Sequence, residues 1–336
     1  MNHKQLWKGN NLAKNRKSLS KNISLASIDT NELVADARTK PTPNSAKWKK
    51  EYQSNEPYTA WVSLFNDFYN VSKEGSVPSF TNEVAGALAA IDYKTKSNNV
   101  FGGGLAYAFN YSHYSESLGH AKINEEMAVL FGSFPCDRIF VNATLWGGLF
   151  QVNNVRHTHT FTTFTATSHT HGWILNPHVE LSSIAYRNDA DWFAIEPFIT
   201  EDWVNYWQSG YKERGASGFN LRMKHHYASL LRSEIGARFY EKLTYDWGRL
   251  LIEAKGSYIN QAPFHLGSTT TAFVGAVSTF SVALGNNKVQ NLAGVDLNLS
   301  FFPKDTKYPY GSVVFEGEFG SSLQSYFVAL EIGKKF

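Results

Sequence analysis

Cysteine is nearly absent from this chain of 336 residues. Cys136 stands alone, so no intramolecular disulfide and no cysteine-rich metal site can form. Charge is scarce as well, at 18% of residues against the usual quarter. No eighteen consecutive residues are apolar, which excludes a membrane protein built of helices. No apolar h-region lies between Met1 and Lys21, so no secretory leader is found there. An exported protein of this kind is then expected to start further upstream, or the chain is a detached C-terminal piece. Also missing are a G-x-S-x-G elbow, a P-loop, a dinucleotide fingerprint and an H-E-x-x-H pair. The expectation is therefore no enzyme and no cofactor. A hydrolase embedded in a barrel is the enzyme alternative, and it needs a Ser/His/Asp or Asp/His cluster at one rim, which no strand pair carries.

What is abundant is aromatic: 15% of the residues are Phe, Trp or Tyr. Mean hydropathy is nevertheless polar, at -0.33. Many aromatics, few charges and no long apolar run suit a wall that meets lipid with every second residue only. The net charge of +3 hides an asymmetry, because residues 1–52 hold 11 Lys/Arg and 4 Asp/Glu while the remainder holds 21 and 25. A basic arm can serve nucleic acid. The aromatic, strand-rich body and mild overall charge argue against that partner.

Residues 1–57 are polar and weakly patterned. Thr30 or Asn31 can cap a short helix through Arg38, which Pro41 and Pro43 end, and a second short helix fits Ser45 to Gln53. From Tyr58 onward a period of two sets in, broken by turn clusters. Trp173, Leu175, Val179 and Leu181 alternate with Asn176, His178 and Glu180. Leu231, Ile235 and Phe239 alternate with Arg232, Glu234 and Arg238, and Leu250, Ile252 and Tyr258 with Glu253, Lys255 and Ser257. Alternation alone fits a soluble sandwich with its polar face outside as well as a membrane barrel with its polar face inside.

Three features separate the two. About twelve strands are legible, with starts near 58, 80, 99, 120, 138, 170, 190, 228–230, 247, 289, 309 and 322, and a start near 219 merged with the next. Each is long enough for the roughly 9–11 tilted residues that cross a bilayer. Connections alternate between short (near 94–98, 134–137, 187–190, 241–246 and 303–308) and long (near 72–79, 113–119, 153–170, 208–218 and 259–288), with only the hairpin at Gly320–Ser322 breaking the rule. Sorting loop length by side is a membrane-barrel habit. Tyr58, Trp61, Tyr93, Tyr111, Tyr114, Trp173, Tyr186, Trp192, Trp203, Trp207, Tyr240, Tyr245, Trp247, Tyr258 and Tyr308 fall mostly near strand ends, where interfacial girdles need amphipathic rings. The expected fold is all-β: a twelve-stranded antiparallel transmembrane β-barrel over 58–336, behind a linker or short helix in 1–57.

The C-terminal half also resembles a known family. Gly210-Tyr211-Lys212-Glu213-Arg214-Gly215-Ala216 is similar to a Tyr-x-Glu-x-Gly outer-loop segment, and Leu231-Arg232-Ser233-Glu234-Ile235-Gly236 to an Arg-x-Glu-hydrophobic-Gly strand. Leu292-Ala293-Gly294-Val295 and Phe315-Glu316-Gly317-Glu318-Phe319-Gly320 follow in order. These pieces resemble the autotransporter β-domain, and among its branches the polymorphic membrane proteins of chlamydia-like bacteria. The resemblance implies a monomeric barrel in the bacterial outer membrane, inserted among its lipids by the barrel assembly machinery. It implies that the barrel anchors and exports a covalently linked upstream passenger, which residues 1–57 are too short to be. It further implies that part of 30–57 threads the pore. Tyr326, Val328, Leu330, Ile332 and Phe336 look like the assembly signal, from which Lys334 departs. A porin or adhesin whose own loops act is the alternative.

Three groups of residues are candidate sites. His157, His159, His169 and His171 flank a Thr-rich stretch; a turn near Phe164 and Thr165 sets His157 against His171 and His159 against His169, where a metal could bind. The simpler expectation is a polar hairpin with no metal. Arg232, Glu234, Arg238, Glu253, Lys255, Asp296, Glu316, Glu318 and Glu331 are expected to line the lumen, either pairing across strands to stiffen the wall or solvating a threading segment. Asn10-Asn11 weakly resembles a self-cleavage pair, but lies far from the first strand.

Overall fold

A computed structural model describes residues 57–73, 79–136, 139–159, 163–188, 192–265, 268–283, 288–305 and 307–336. The two helices considered within residues 30–53, the threading segment and Asn10-Asn11 lie outside the described residues. Twelve long strands form the body: β1 Tyr58–Val71, β2 Phe80–Lys94, β3 Val100–Tyr114, β4 Gly119–Cys136, β5 Ile139–His159, β6 Thr163–Ser183, β7 Phe193–Gln208, β8 His226–Tyr245, β9 Gly248–His265, β10 Gln290–Pro303, β11 Tyr310–Gly320 and β12 Leu323–Lys335. Each pairs antiparallel with its sequence neighbours, and β12 pairs with β1 from Thr59↔Lys335 to Val71↔Leu323. The sheet is thus closed on itself by its first and last strands. No helix occurs among the described residues.

Both ends of the barrel chain meet at one rim, where the Tyr58 N–H donates to the Phe336 carbonyl at 3.3 Å and the Phe336 N–H to the Tyr58 carbonyl at 3.0 Å. The tight connections near 95–99 and 246–247 share that rim, as do the paired strand ends Cys136 and Ile139. The segment 153–170 is corrected from long loop to strand. β5 and β6 are each 21 residues long and pair without interruption from Ile139↔Ser183 to His159↔Thr163. Val, Thr and Phe carry the two-residue period through this stretch, and β-branched and aromatic side chains favour a pleated surface. The start near 219 is a separate short strand, Leu221–Met223.

Faces follow the period. Leu105, Leu149 and Ile332 are 71%, 63% and 64% exposed on the outside, while Glu196, Asp202 and Asn142 are fully enclosed. Rings gather at both ends of the outer face. Tyr58 stacks on Phe336 at 6.0 Å and Tyr245 on Trp247 at 4.9 Å at the terminal rim; Trp173 stacks on Trp207 and Trp207 meets Tyr227 at 5.0 Å at the other. Trp61, Tyr114 and Tyr240 are corrected from girdle to interior: all three are buried. Their parity, not their nearness to a strand end, decides the face.

In four cross-strand pairs an aromatic ring is the side chain nearest to the missing Cβ of a glycine. Phe65 lies opposite Gly86, Phe131 opposite Gly102, Phe150 opposite Gly172 and Tyr310 opposite Gly333. A Cβ added at these glycines would come within 2.2, 2.2, 2.2 and 2.3 Å of the ring. The missing side chain is the space the ring occupies.

Candidate functional site: the barrel interior and its raised outer rim

Inward positions of β6 to β11 carry an ionic network. Arg238 sits at its centre. It donates to Glu180 (Nη1 to Oε1, 3.1 Å, with a second bond from Nη2), reaches Glu196 at 3.4 Å and Glu253 at 3.4 Å, and lies 4.1 Å above the Phe198 ring. Tyr240 donates its hydroxyl to Glu196 at 3.2 Å. Arg232 bridges Glu318 at 2.7 Å, Glu234 at 3.3 Å and Asp202 at 3.5 Å. Lys255 contacts Glu234 at 2.9 Å and also Asp296. Glu316 is half-buried on the same wall, and Glu331, also half-buried, faces inward on β12. Arg232, Glu234, Arg238, Glu253, Lys255, Asp296, Glu316, Glu318 and Glu331 all stand at inward positions of their strands. Glu180, Glu196, Asp202 and the His178 that Asp202 holds at 2.9 Å join them. Glu196 and Asp202 alternate with the outward Ile195, Ile199 and Trp203 on β7, as His178 and Glu180 do with Val179 and Leu181 on β6.

The outer rim is raised on one side. Beyond Gly172↔Gln208 strand β6 outruns β7, and the chain after β7 turns along its free edge: Ser209 N–H donates to His171 O at 2.9 Å, and Thr167 and Arg214 exchange backbone bonds at 2.8 and 2.9 Å. Tyr211–Lys212, Leu221–Met223, Ser268–Phe273 and Phe280–Ala283 then form a four-stranded sheet from two loops. A buried ion pair fastens it to the barrel. Arg156 on β5 donates through Nε and Nη2 to Glu213 at 2.8 and 2.6 Å, and through Nη2 to the Phe219 carbonyl at 3.0 Å; the Leu221 N–H donates to Glu213 at 2.8 Å. Tyr211 is enclosed beside Glu213, and burial and that carboxylate raise its phenol well above the ordinary range. Gly215 holds a φ of +104° where the strand turns away, a backbone that glycine alone adopts readily. Sequence reasoning missed the Arg156–Glu213 pair because no periodicity links a strand to a loop 57 residues on.

A family model for the autotransporter beta-domain matches residues 60–305. The chain belongs to the autotransporter β-domain family. Among solved structures it resembles other translocator barrels of that family at low identity, so the likeness is one of fold. The translocator domain of the autotransporter NalP from Neisseria meningitidis matches with a TM-score of 0.67 and 10% identity, over 90% of this chain and 97% of that one. The beta domain of the Bordetella autotransporter Brka gives 0.60 and 13%, over 84% and 100%. The transport unit of AIDA-I from Escherichia coli gives 0.51 and 10%, over 84% and 91%. No curated protein matches by sequence. None of the three named structures is of the chlamydial polymorphic type.

In this autotransporter barrel the histidine hairpin has a register different from the expected one. The two strands pair through His159↔Thr163, so His157 opposes Thr165, His169 opposes Asn153 and His171 opposes Gln151. The expected His–His pairings are thus corrected: no histidine of the four opposes another, and His157, His169 and His171 share the outward face. His157 Nδ1 lies 3.1 Å from Thr165 Oγ1, His169 Nδ1 2.9 Å from Asn153 Oδ1 and His171 Nε2 3.2 Å from Ser209 Oγ. Among the described residues no group of three His, Cys, Asp or Glu side chains could hold a metal ion. Tyr326, Val328, Leu330 and Ile332 form an outward strip on β12, with Phe336 exposed at its end.

Proposed function

We propose that this chain is a translocator unit that sits in the bacterial outer membrane, anchors an upstream passenger and passes it to the cell surface. Family membership over 60–305 supports the class. The carrying observation is the meeting of Tyr58 and Phe336 at one rim, opposite the raised sheet. A segment that enters ahead of Tyr58 must traverse the interior to emerge on the far side. Carboxylates outnumber cations on the inner wall of β6 to β11, and residues 1–52 carry the opposite excess. That complementarity supports a threading role for some part of 1–57, which the lumenal charges solvate and hold. The outward strip Tyr326, Val328, Leu330 and Ile332 with Phe336 would present the assembly signal to the barrel assembly machinery. The unit works as a monomer and is not an enzyme.

The test fuses a signal peptide and an epitope tag ahead of Met1. On intact cells the tag is expected to be protease-sensitive, while the barrel migrates as a compact, heat-modifiable band. A compact barrel with a shielded tag would overturn export; a chain that never yields the compact band would overturn the membrane placement. The raised sheet favours a second reading, an adhesin acting through its own loops. It predicts that the tagless barrel alone makes cells adhere.

A further inference from the structure

We infer that the outward face of the raised sheet is a binding site for phosphorylated lipid headgroups of the outer leaflet; this rests on the outer-membrane placement proposed above. Register alone assembles the site. Thr167 shares the outward face of β6 with Trp173 and pairs directly with Arg214. Lys212 lies two residues from Arg214 and therefore on the same face, Arg222 is directly opposite Lys212, and Lys224 follows Arg222 by two. All four cations are exposed, and their neighbours Tyr211, Glu213, Leu221 and Met223 point the other way, to the buried side. With Asn153 and His169 they line an open groove of about 1020 Å³.

The sheet holds this arrangement against its own electrostatics. Like charges directly across a strand pair destabilise it, yet Lys212 and Arg222 stand so, and among the described residues none of the four cations makes an ion pair with a carboxylate. An anion placed in the groove removes that repulsion.

Position selects the anion's carrier. Trp173 and Trp207 stack on this same outward face, with Tyr227 beside them, and such amphipathic rings mark headgroup level. His169 lies four residues beyond Trp173, roughly 13 Å along a tilted strand. The groove therefore opens just above the interface, toward the surrounding lipid and away from the lumen. A passenger leaving the pore would meet the opposite face, where Arg156 and Glu213 neutralise each other. Phosphates of a glycolipid in the outer leaflet arrive at the right height and with the right sign, and each basic residue near an anionic membrane surface contributes roughly fivefold to binding.

The full chain, folded in zwitterionic detergent, would be titrated with mixed micelles of bisphosphorylated lipid A. Folding is checked first by heat-modifiable migration, so a failure of the barrel itself is visible before any lipid is added. Binding is expected to weaken at least tenfold when Lys212, Arg214, Arg222 and Lys224 are all changed to Ala, and to weaken as much for the wild type with dephosphorylated lipid A. A Lys96→Ala, Lys304→Ala, Lys307→Ala variant at the opposite rim should bind as the wild type does. Should the quadruple variant not fold, Arg222→Glu alone is expected to cost about fivefold or more. Undiminished binding by the folded variants overturns the site. Competition by soluble polyphosphate as strong as by lipid at equal phosphate overturns the lipid assignment in favour of a soluble anion.

Discussion

The inner wall of the barrel is two different materials. From β6 round to β11 it is ionic, with Glu180, Glu196, Asp202, Arg232, Glu234, Arg238, Glu253, Lys255, Asp296 and Glu318 interlocked. On β1 to β5 it is mainly aromatic and aliphatic: Trp61, Phe65, Tyr69, Val84, Leu88, Ile123, Met127, Val129, Trp146 and Phe150 belong to a cluster that also takes in Leu230, Tyr240, Leu251 and Ile259 of the ionic side, and the buried charged residues of those five strands are Asp67, Asp92, Glu125 and Arg156. Even there polar groups are tied down, as where Trp61 donates to Asp92 at 3.2 Å and Ser325 to Asp67 at 2.9 Å. A rule of polar inside and apolar outside describes only the first wall. Both walls solve one problem, filling the space enclosed by a small barrel, where inward side chains pack against each other. One does so with directional pairs that fail abruptly when a partner is lost. The other uses non-directional contact that fails in proportion to the area removed.

Mutations can break that contrast. The largest loss is expected for Arg238→Met, which leaves Glu180, Glu196 and Glu253 enclosed without their shared cation. The cost is about 3–5 kcal/mol, read as a lower urea midpoint for the barrel in lipid vesicles. Phe65→Leu on the opposite wall is expected to cost about 1.5 kcal/mol by the same measurement, since it removes only part of one buried aromatic side chain. An equal loss at both positions would erase the distinction between the walls. Glu196→Gln is the small and sharpening case. The amide still accepts from Tyr240, and the acidic side of the network is in excess, so a change within about 1 kcal/mol is expected. A loss near that of Arg238→Met would mean that the carboxylate, and not the cation, limits the network.

This difference also explains what was legible beforehand. Strands β6 and β8 to β12 announced themselves because charges on one face and Leu, Ile or Phe on the other make a period of two unmistakable. In β1 to β4 both faces carry aromatic, aliphatic and small residues, with Asp67, Asn82, Asp92, Asn110 and Glu125 scattered along the inner one, so alternation located the strands without assigning the faces, and Trp61 and Tyr114 were placed on the wrong side. Parity sets Arg232 to Glu331 on one face of their strands but does not name their partners, because Arg238 finds Glu180 two strands away and Arg232 finds Glu318 three strands away. The pairing of β5 with β6 was expected to turn near Phe164 and Thr165 because Thr-rich sequence serves equally as strand and as loop. That one error moved the register, and with it every histidine pairing. The raised sheet was out of reach, being built from two loops whose pairing no local pattern records.

The four ring-over-glycine pairs have a consequence for the barrel as a machine part. A slip of two residues between neighbouring strands keeps every side chain on its own face, so alternation cannot forbid it. Such a slip would drive Phe65 against Val84 or Leu88, and Phe150 against Thr170 or Ile174, in place of the empty position each ring fills. The pairs lie on four separate seams: β1/β2, β3/β4, β5/β6 and β11/β12. Because strand stagger, tilt and diameter are linked in a closed sheet, these four keys set the bore.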